Sequence, residues 1–266
     1  MRWLTGLCLA LLAGALQAQT NPFSDIAGAY WLEVNGSPVW SKQADKRLAP
    51  ASLTKMMTAL LVLEDGSALS SFHALVRVSA TASQETGSRI GLKASESLTV
   101  EDLLAATLIA SANDACRALA DGPGGGQTQF VARMNTRARE LGMRQTQFAN
   151  ACGHDAKGHF SSARDLALLA NALVKFPQVL VWAGRVSHTI RSAGGRTFTL
   201  NNTNALMGRY KGAVGLKTGH TARAGNCLVA IAQRGDTRVV LVMLHASDRW
   251  WDAVDLLNMA FDHGAP

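Results

Sequence analysis

At 266 residues the chain can bury one substantial core, or two subdomains that share a cleft. Its composition, 48% hydrophobic and 17% charged, is that of a globular protein and excludes a disordered or fibrous one. The formal charge of +7 comes from scattered lysines and arginines, with no run of five and no basic helix interleaved with aromatics, so nucleic acid is not an expected partner.

The N-terminus begins Met1-Arg2 and continues as an apolar run from Trp3 to Leu16, broken only by Thr5, Gly6 and Gly14. The run is too short for a confident membrane span and has the layout of a secretory signal, with cleavage expected after Ala18. The expected organisation is a signal peptide over residues 1–18 and a single domain over 19–266, exported to the periplasm or cell envelope. No later segment approaches about 18 consecutive apolar residues, so no stable membrane span is expected. Of four cysteines, Cys8 lies in the signal, leaving Cys116, Cys152 and Cys227. Two of these can pair in an oxidising compartment, but the sequence does not say which, and they read mainly as buried small apolar residues.

Along the rest of the chain, Ala27 to Val34 reads as a strand with Tyr30, Leu32 and Val34 on one face. Asn35-Gly36 is a strong hairpin turn before Val39-Trp40. A helix is expected to start around Pro50-Ala51-Ser52 and run to Gly66. Another follows Thr99, whose spacing to Asp102 resembles a capping box. Further helices are expected over about Asn113–Ala120, Phe130–Leu141 and Ala163–Val174, the last stopped near Pro177. The glycine cluster at 122–126 reads as a surface loop, since it lacks the lysine of a phosphate cradle. Short β-branched runs then predict strands at Arg196–Leu200, Val214–Thr218, Cys227–Ala232 and Val239–Leu244. Gly235-Asp236 turns between the last two, and a closing helix spans about Trp250–Phe261. Strands at both ends with helices between them predict an α/β fold, a sheet carrying an inserted all-helical lobe at about residues 80–176.

Three short motifs carry chemistry: Ser52-Leu53-Thr54-Lys55, Ser111-Ala112-Asn113 and Lys217-Thr218-Gly219. Alone the first is weak, because Ser-x-x-Lys arises by chance about once in a chain this long. Its setting is stronger. Ser52 stands at a helix start with Lys55 one turn along on the same face. A serine hydroxyl needs a nearby base, and a lysine serves once burial and neighbouring cations such as Lys217 depress its pKa. The helix N-terminus offers N–H groups to a developing oxyanion. Ser111 lies between two helices, and Gly219 on a strand allows close backbone approach.

In this order the motifs resemble those of the penicillin-binding protein and serine β-lactamase superfamily. The longer phrases Pro50-Ala51-Ser52-Leu53-Thr54-Lys55-Met56-Met57-Thr58, Ser111-Ala112-Asn113-Asp114-Ala115 and Gly215-Leu216-Lys217-Thr218-Gly219-His220-Thr221 resemble the low-molecular-mass D-alanyl-D-alanine carboxypeptidases. The similarity extends through Phe148–Asn150 with Gly153, and through Ser161–Leu169. It implies a β-lactamase/transpeptidase-like fold, an antiparallel sheet flanked by helices with the helical lobe inserted. It also implies peptidoglycan stem peptides as substrate, β-lactams as covalent inhibitors and no cofactor. Carried over residue by residue, Ser52 resembles the acyl-enzyme nucleophile, Lys55 its base and Ser111 the proton relay to the leaving D-alanine. Asn113 resembles the residue binding the substrate amide, and Lys217 and Thr218 those holding its carboxylate end. Gly219 permits close approach, and the N–H groups of Ser52 and His220 resemble an oxyanion hole. Arg249, in Arg249-x-x-Asp252-x-x-x-Leu256-Leu257, resembles an additional carboxylate-binding arginine.

Two positions depart from the pattern: Asn226, where tyrosine is frequent, and His154, where leucine is frequent. Since little follows Phe261, the β-rich domain and amphipathic anchor of many members are not expected. The seven histidines show no metal-ligand spacing, so no metal site is expected. A class A β-lactamase is disfavoured because no Glu-x-x-Leu-Asn phrase lies between Ser111 and Lys217. A DD-endopeptidase would carry the same three motifs and is not separated from a carboxypeptidase. Retention of all three argues against an inactive wall-binding protein.

Overall fold

A computed structural model describes residues 23, 25–65, 71–122 and 126–263. The expected signal peptide, the helix end at Gly66 and most of the glycine cluster lie outside them.

Five antiparallel strands form the central sheet: β1 (Ala27–Val34), β2 (Ser37–Lys42), β7 (Ala213–Thr221), β8 (Gly225–Arg234) and β9 (Thr237–Ala246), in the order β2-β1-β9-β8-β7. Asn35 and Gly36 both take positive φ, 49° and 82°, as a tight hairpin between right-twisted strands requires. Side chains alternate between the two faces. Tyr30, Leu32, Leu228, Ala230, Leu241 and Met243 pack under the closing helix α8 (Trp251–His263) through Leu256, Leu257 and Ala260. Trp31, Val229, Ile231, Val240 and Val242 face the larger core, where the remaining helices sit. Each large aliphatic side chain fully buried in these layers contributes roughly 1.5–3 kcal/mol.

On that larger side a 3-10 turn, Ala51–Thr54, leads directly into α1 (Lys55–Glu64), so the expected helix start is a tight turn before the α-helix proper. Two-stranded ribbons form from β3 (Leu75–Arg77) with β4 (Ser97–Thr99), and from β5 (Ser187–Arg191) with β6 (Thr197–Asn201). The helices are α2 (Ala80–Ser83), α3 (Val100–Ile109), α4 (Asn113–Asp121), α5 (Gln127–Glu140), α6 (Ala163–Leu173) and α7 (Pro177–Ala183). Thr99 caps α3 by accepting from the Asp102 N–H at 3.1 Å. Pro177, expected only to stop a helix, occupies the first turn of α7, where its missing N–H costs nothing. Strand β6 is the one expected at Arg196–Leu200, whereas β3, β4 and β5 escape the sequence pattern because each is short and buries a single side chain, Val76, Leu98 and Ile190 respectively.

Among the described residues no single helix is long and apolar enough to cross a membrane. Helices α6 and α7 reach the length together, but a 109° bend divides them and their apolar residues are largely core.

Candidate active site

The 3-10 turn brings Ser52 to the edge of the larger core, packed against β7. Leu53 donates to the Pro50 carbonyl at 3.1 Å, and Ala51 takes φ 48°, a left-handed conformation unusual for a residue with a Cβ. Threonines one and two turns along fix this corner. Thr54 Oγ1 donates to the Ala51 carbonyl at 2.8 Å, and Thr58 Oγ1 donates to the Ala151 carbonyl at 2.7 Å. Behind Thr54 sits His159, 2% exposed. The Ala149 N–H donates to His159 Nδ1 at 2.9 Å, which leaves Nε2 as the N–H that donates to Thr54 Oγ1 at 2.8 Å. Burial holds this imidazole down at about 4, so it is neutral near pH 7.

Lys55 is fully buried and its Nζ has three oxygen neighbours: Ser52 Oγ at 3.0 Å, Asn113 Oδ1 at 2.6 Å and the Cys152 carbonyl at 2.6 Å. Desolvation lowers its pKa to about 7, against the upward pull of Glu85 and Asp114. Asn113 Oδ1 and the Cys152 carbonyl can only accept, so in the neutral amine they take the two N–H groups. The lone pair is then left toward Ser52 Oγ.

Ser111 closes the α3–α4 connection with φ 58° and lies 5% exposed. Lys217 Nζ donates to Ser111 Oγ at 2.8 Å and to the Thr218 carbonyl at 2.8 Å. It too is fully buried, and burial together with the Lys55 and Arg249 cations pushes its pKa well down. Thr218 Oγ1 pairs with Thr203 Oγ1 at 2.6 Å, a partner on the loop after β6 that the motifs did not reveal. Arg249 reaches under β7, donating to the Gly219 carbonyl at 2.7 Å and the Cys227 carbonyl at 3.3 Å, with its guanidinium 4.6 Å from the Trp250 ring centre. His220 is exposed at the outer side of the strand. Ser52, Lys55 and Asn113 thus share one hydrogen-bonded group and Ser111 and Lys217 another, while Gly219 packs on the Ser52 turn, Arg249 bonds its carbonyl, and Thr218 and the exposed His220 flank it on β7.

The structure adds detail to three expectations. Gly219 is closely packed: a Cβ there would fall 3.1 Å from Ala51 Cβ and Ser52 N and 3.2 Å from the Pro50 carbonyl. Asn113 is already engaged at both ends, by Lys55 and by its own donation to the Thr86 carbonyl at 2.5 Å. Of the pairings the sequence left open, Cys116 and Cys152 form the disulfide, while Cys227 is a free buried thiol raised to about 11.

The two departures also find roles. His154 Nε2 lies 2.7 Å from Glu85 Oε2, and Glu85 in turn pairs with Arg117. Asn226 donates to the Ser247 carbonyl at 3.2 Å. Among the described residues no three His, Cys, Asp or Glu side chains are grouped to hold a metal ion.

The D-alanyl-D-alanine carboxypeptidase family model matches residues 26–248. The chain belongs to the D-alanyl-D-alanine carboxypeptidase family. The D-alanyl-D-alanine carboxypeptidase DacF of Bacillus subtilis is 38% identical over 231 residues, covering 85% of this chain and 59% of the relative. That of Streptomyces sp. strain K15 is 32% identical over 279 residues, covering 97% and 95%. The crystal structure of the Streptomyces K15 DD-transpeptidase superposes with a TM-score of 0.84 at 30% identity, over 90% of this chain and 98% of that one. The β-lactamase/transpeptidase-like fold expected from the motifs is therefore the fold of this family member. The chain spans about three fifths of the length of the Bacillus and Escherichia coli relatives.

Proposed function

We propose that this family member is an exported serine DD-carboxypeptidase that removes the terminal D-alanine from peptidoglycan stem peptides. The observation that carries the reading is the Lys55 amine, buried, held near neutrality and aimed at Ser52 Oγ from 3.0 Å. Ser52 Oγ attacks the carbonyl carbon of the penultimate D-alanine while Lys55 Nζ takes its proton. The oxyanion sits against the N–H groups of Ser52 and His220. As the tetrahedral intermediate collapses, the C–N bond breaks and the leaving D-alanine amine takes a proton through Ser111. A water molecule then hydrolyses the Ser52 ester.

Lys217 and Thr218 hold the carboxylate end, with Arg249 adding positive charge beneath the strand. The second N–H of the Asn113 amide meets the stem-peptide carbonyl. Because β7 is an edge strand of the central sheet, its outer backbone groups suit an extended peptide. β-Lactams acylate the same serine. The disulfide fits an oxidising compartment outside the cytoplasm, as does the apolar N-terminal run.

Labelled penicillin should acylate the native protein and leave Ser52→Ala unlabelled; labelling of the variant would overturn the assignment. Digestion of purified peptidoglycan should release free D-alanine. Release of uncross-linked stems without D-alanine would make the protein an endopeptidase instead.

A further inference from the structure

The Cys116–Cys152 disulfide lies directly behind Lys55. Cys116 is on α4, whose first residue, Asn113, supplies one oxygen to the Lys55 amine. Cys152 supplies the other through its own main-chain carbonyl. The disulfide therefore joins the two carbonyl carriers to each other, across 36 residues of sequence.

The segment around Cys152 has little hydrogen bonding of regular structure to hold it. Asn150 Oδ1 accepts from the N–H groups of residues 152, 153 and 154, curling the segment into a side-chain-capped turn. The next residue, Gly153, has φ 92°, and a Cβ there would lie 2.0 Å from the Ala51 carbonyl. The turn is thus wedged between the Ser52 corner and α4, and the disulfide is its covalent tie to α4.

We propose that the Cys116–Cys152 disulfide is a positioning element for Lys55, fixing the two carbonyl oxygens that aim the amine lone pair at Ser52. The inference rests on the reading of Lys55 as base. Opening the tie lets the turn at 150–153 drift from α4, so the amine loses its fixed direction and water enters its seat. Both effects act in one sense. The neutral amine is misaligned, and eased desolvation lets its pKa climb back toward that of an ordinary lysine, so more alkaline conditions are needed. The charged groups around Lys55 are Lys217 on β7, Asp114 on α4 and Glu85 in the loop after α2. Glu85 is itself held by Arg117, next to Cys116, and by His154, two residues after Cys152.

The test is the rate of acylation by labelled penicillin as a function of pH. It is run on the native protein, on Cys116→Ala, on Cys152→Ala, which keeps the carbonyl, and on native protein reduced by dithiothreitol with thiols counted by mass. The expected result is a rate at neutral pH lower by roughly 10- to 100-fold in all three opened forms. The midpoint of the pH profile should move to higher pH, and reoxidation of the reduced protein should restore both. Opened forms with the native rate and midpoint and only a lower Tm would overturn the proposal. So would loss of fold in every opened form, which would make the disulfide a general staple. No labelling of the native protein would overturn the Lys55 reading as well, whereas unchanged profiles in labelled variants would overturn this inference alone.

Discussion

Two fully buried lysines each sit against a serine, Lys55 against Ser52 and Lys217 against Ser111, and their surroundings differ. Lys55, on the helical wall, is ringed by acceptors and has the carboxylates of Glu85 and Asp114 pulling its pKa upward. Lys217, on the strand wall, feels the cations Lys55 and Arg249, which add to its burial in pushing its pKa down. The contrast separates two jobs that one residue type can do. An amine whose N–H groups are both spent on carbonyls presents a lone pair and suits proton removal. An amine that donates to a serine hydroxyl suits charge and hydrogen-bond donation to an anionic substrate end.

The largest break in this comparison should come from Lys55→Ala. Acylation should slow by about 10³-fold, about 4 kcal/mol of barrier, and the rise in rate through pH about 7 should disappear. Stopped-flow acylation across pH checks both, and a retained limb near pH 7 would move the base role elsewhere. Lys217→Ala should cost about 100-fold in kcat/KM toward a peptide ending in D-Ala-D-Ala, about 3 kcal/mol, while keeping the pH limb. A lost limb there would exchange the two lysines' roles.

The third prediction concerns the support behind the Ser52 corner. His159 is held at about 4 against an ordinary 6.5, so the unfolded chain binds a proton between these values and the folded one does not. Stability from this group is therefore present above about pH 6.5 and is lost as pH falls toward 4, by about 3 kcal/mol in all. Urea titrations at pH 7 and pH 4 should show a pH dependence smaller by about that amount in His159→Gln. An identical dependence would remove His159 from the acid response. The smallest effect is expected from Glu85→Gln. Loss of one carboxylate near Lys55 should move the acylation midpoint to lower pH by less than about one unit. An upward move would contradict the stated electrostatics.

The elements that anchor the site were readable because their signals are local. Asn35-Gly36 marks a hairpin by conformational necessity, β8 and β9 are continuous apolar runs, and Thr99 caps its helix with its own hydroxyl. Ser52, Lys55, Ser111 and Lys217 were legible because each belongs to a short motif, and the structure joins Lys55 to Ser52 and Lys217 to Ser111. What stayed hidden depends on contacts distant in sequence. No spacing rule joins Thr203 to Thr218, His159 to Thr54 or Cys116 to Cys152, since only the packed chain brings them into reach. The Cys152 carbonyl is hidden more deeply, because a main-chain acceptor leaves no trace in residue identity. Gly219 was found for an incomplete reason: its neighbours are the Pro50–Ser52 backbone, visible only once β7 lies against the turn.

That packing decides where the cleft can give. A methyl group at Gly219 would fall 3.1 Å from Ser52 N, so the Ser52 turn and the strand beside it are packed tightly together as one wall. The exposed stretch around Ser88 and Arg89 borders Asn113 instead, held to α4 by hydrogen bonds through Asp114 and Asn113. Accommodation of leaving groups of different bulk therefore falls to the 84–92 side, and changes in substrate range should accumulate there while β7 stays fixed.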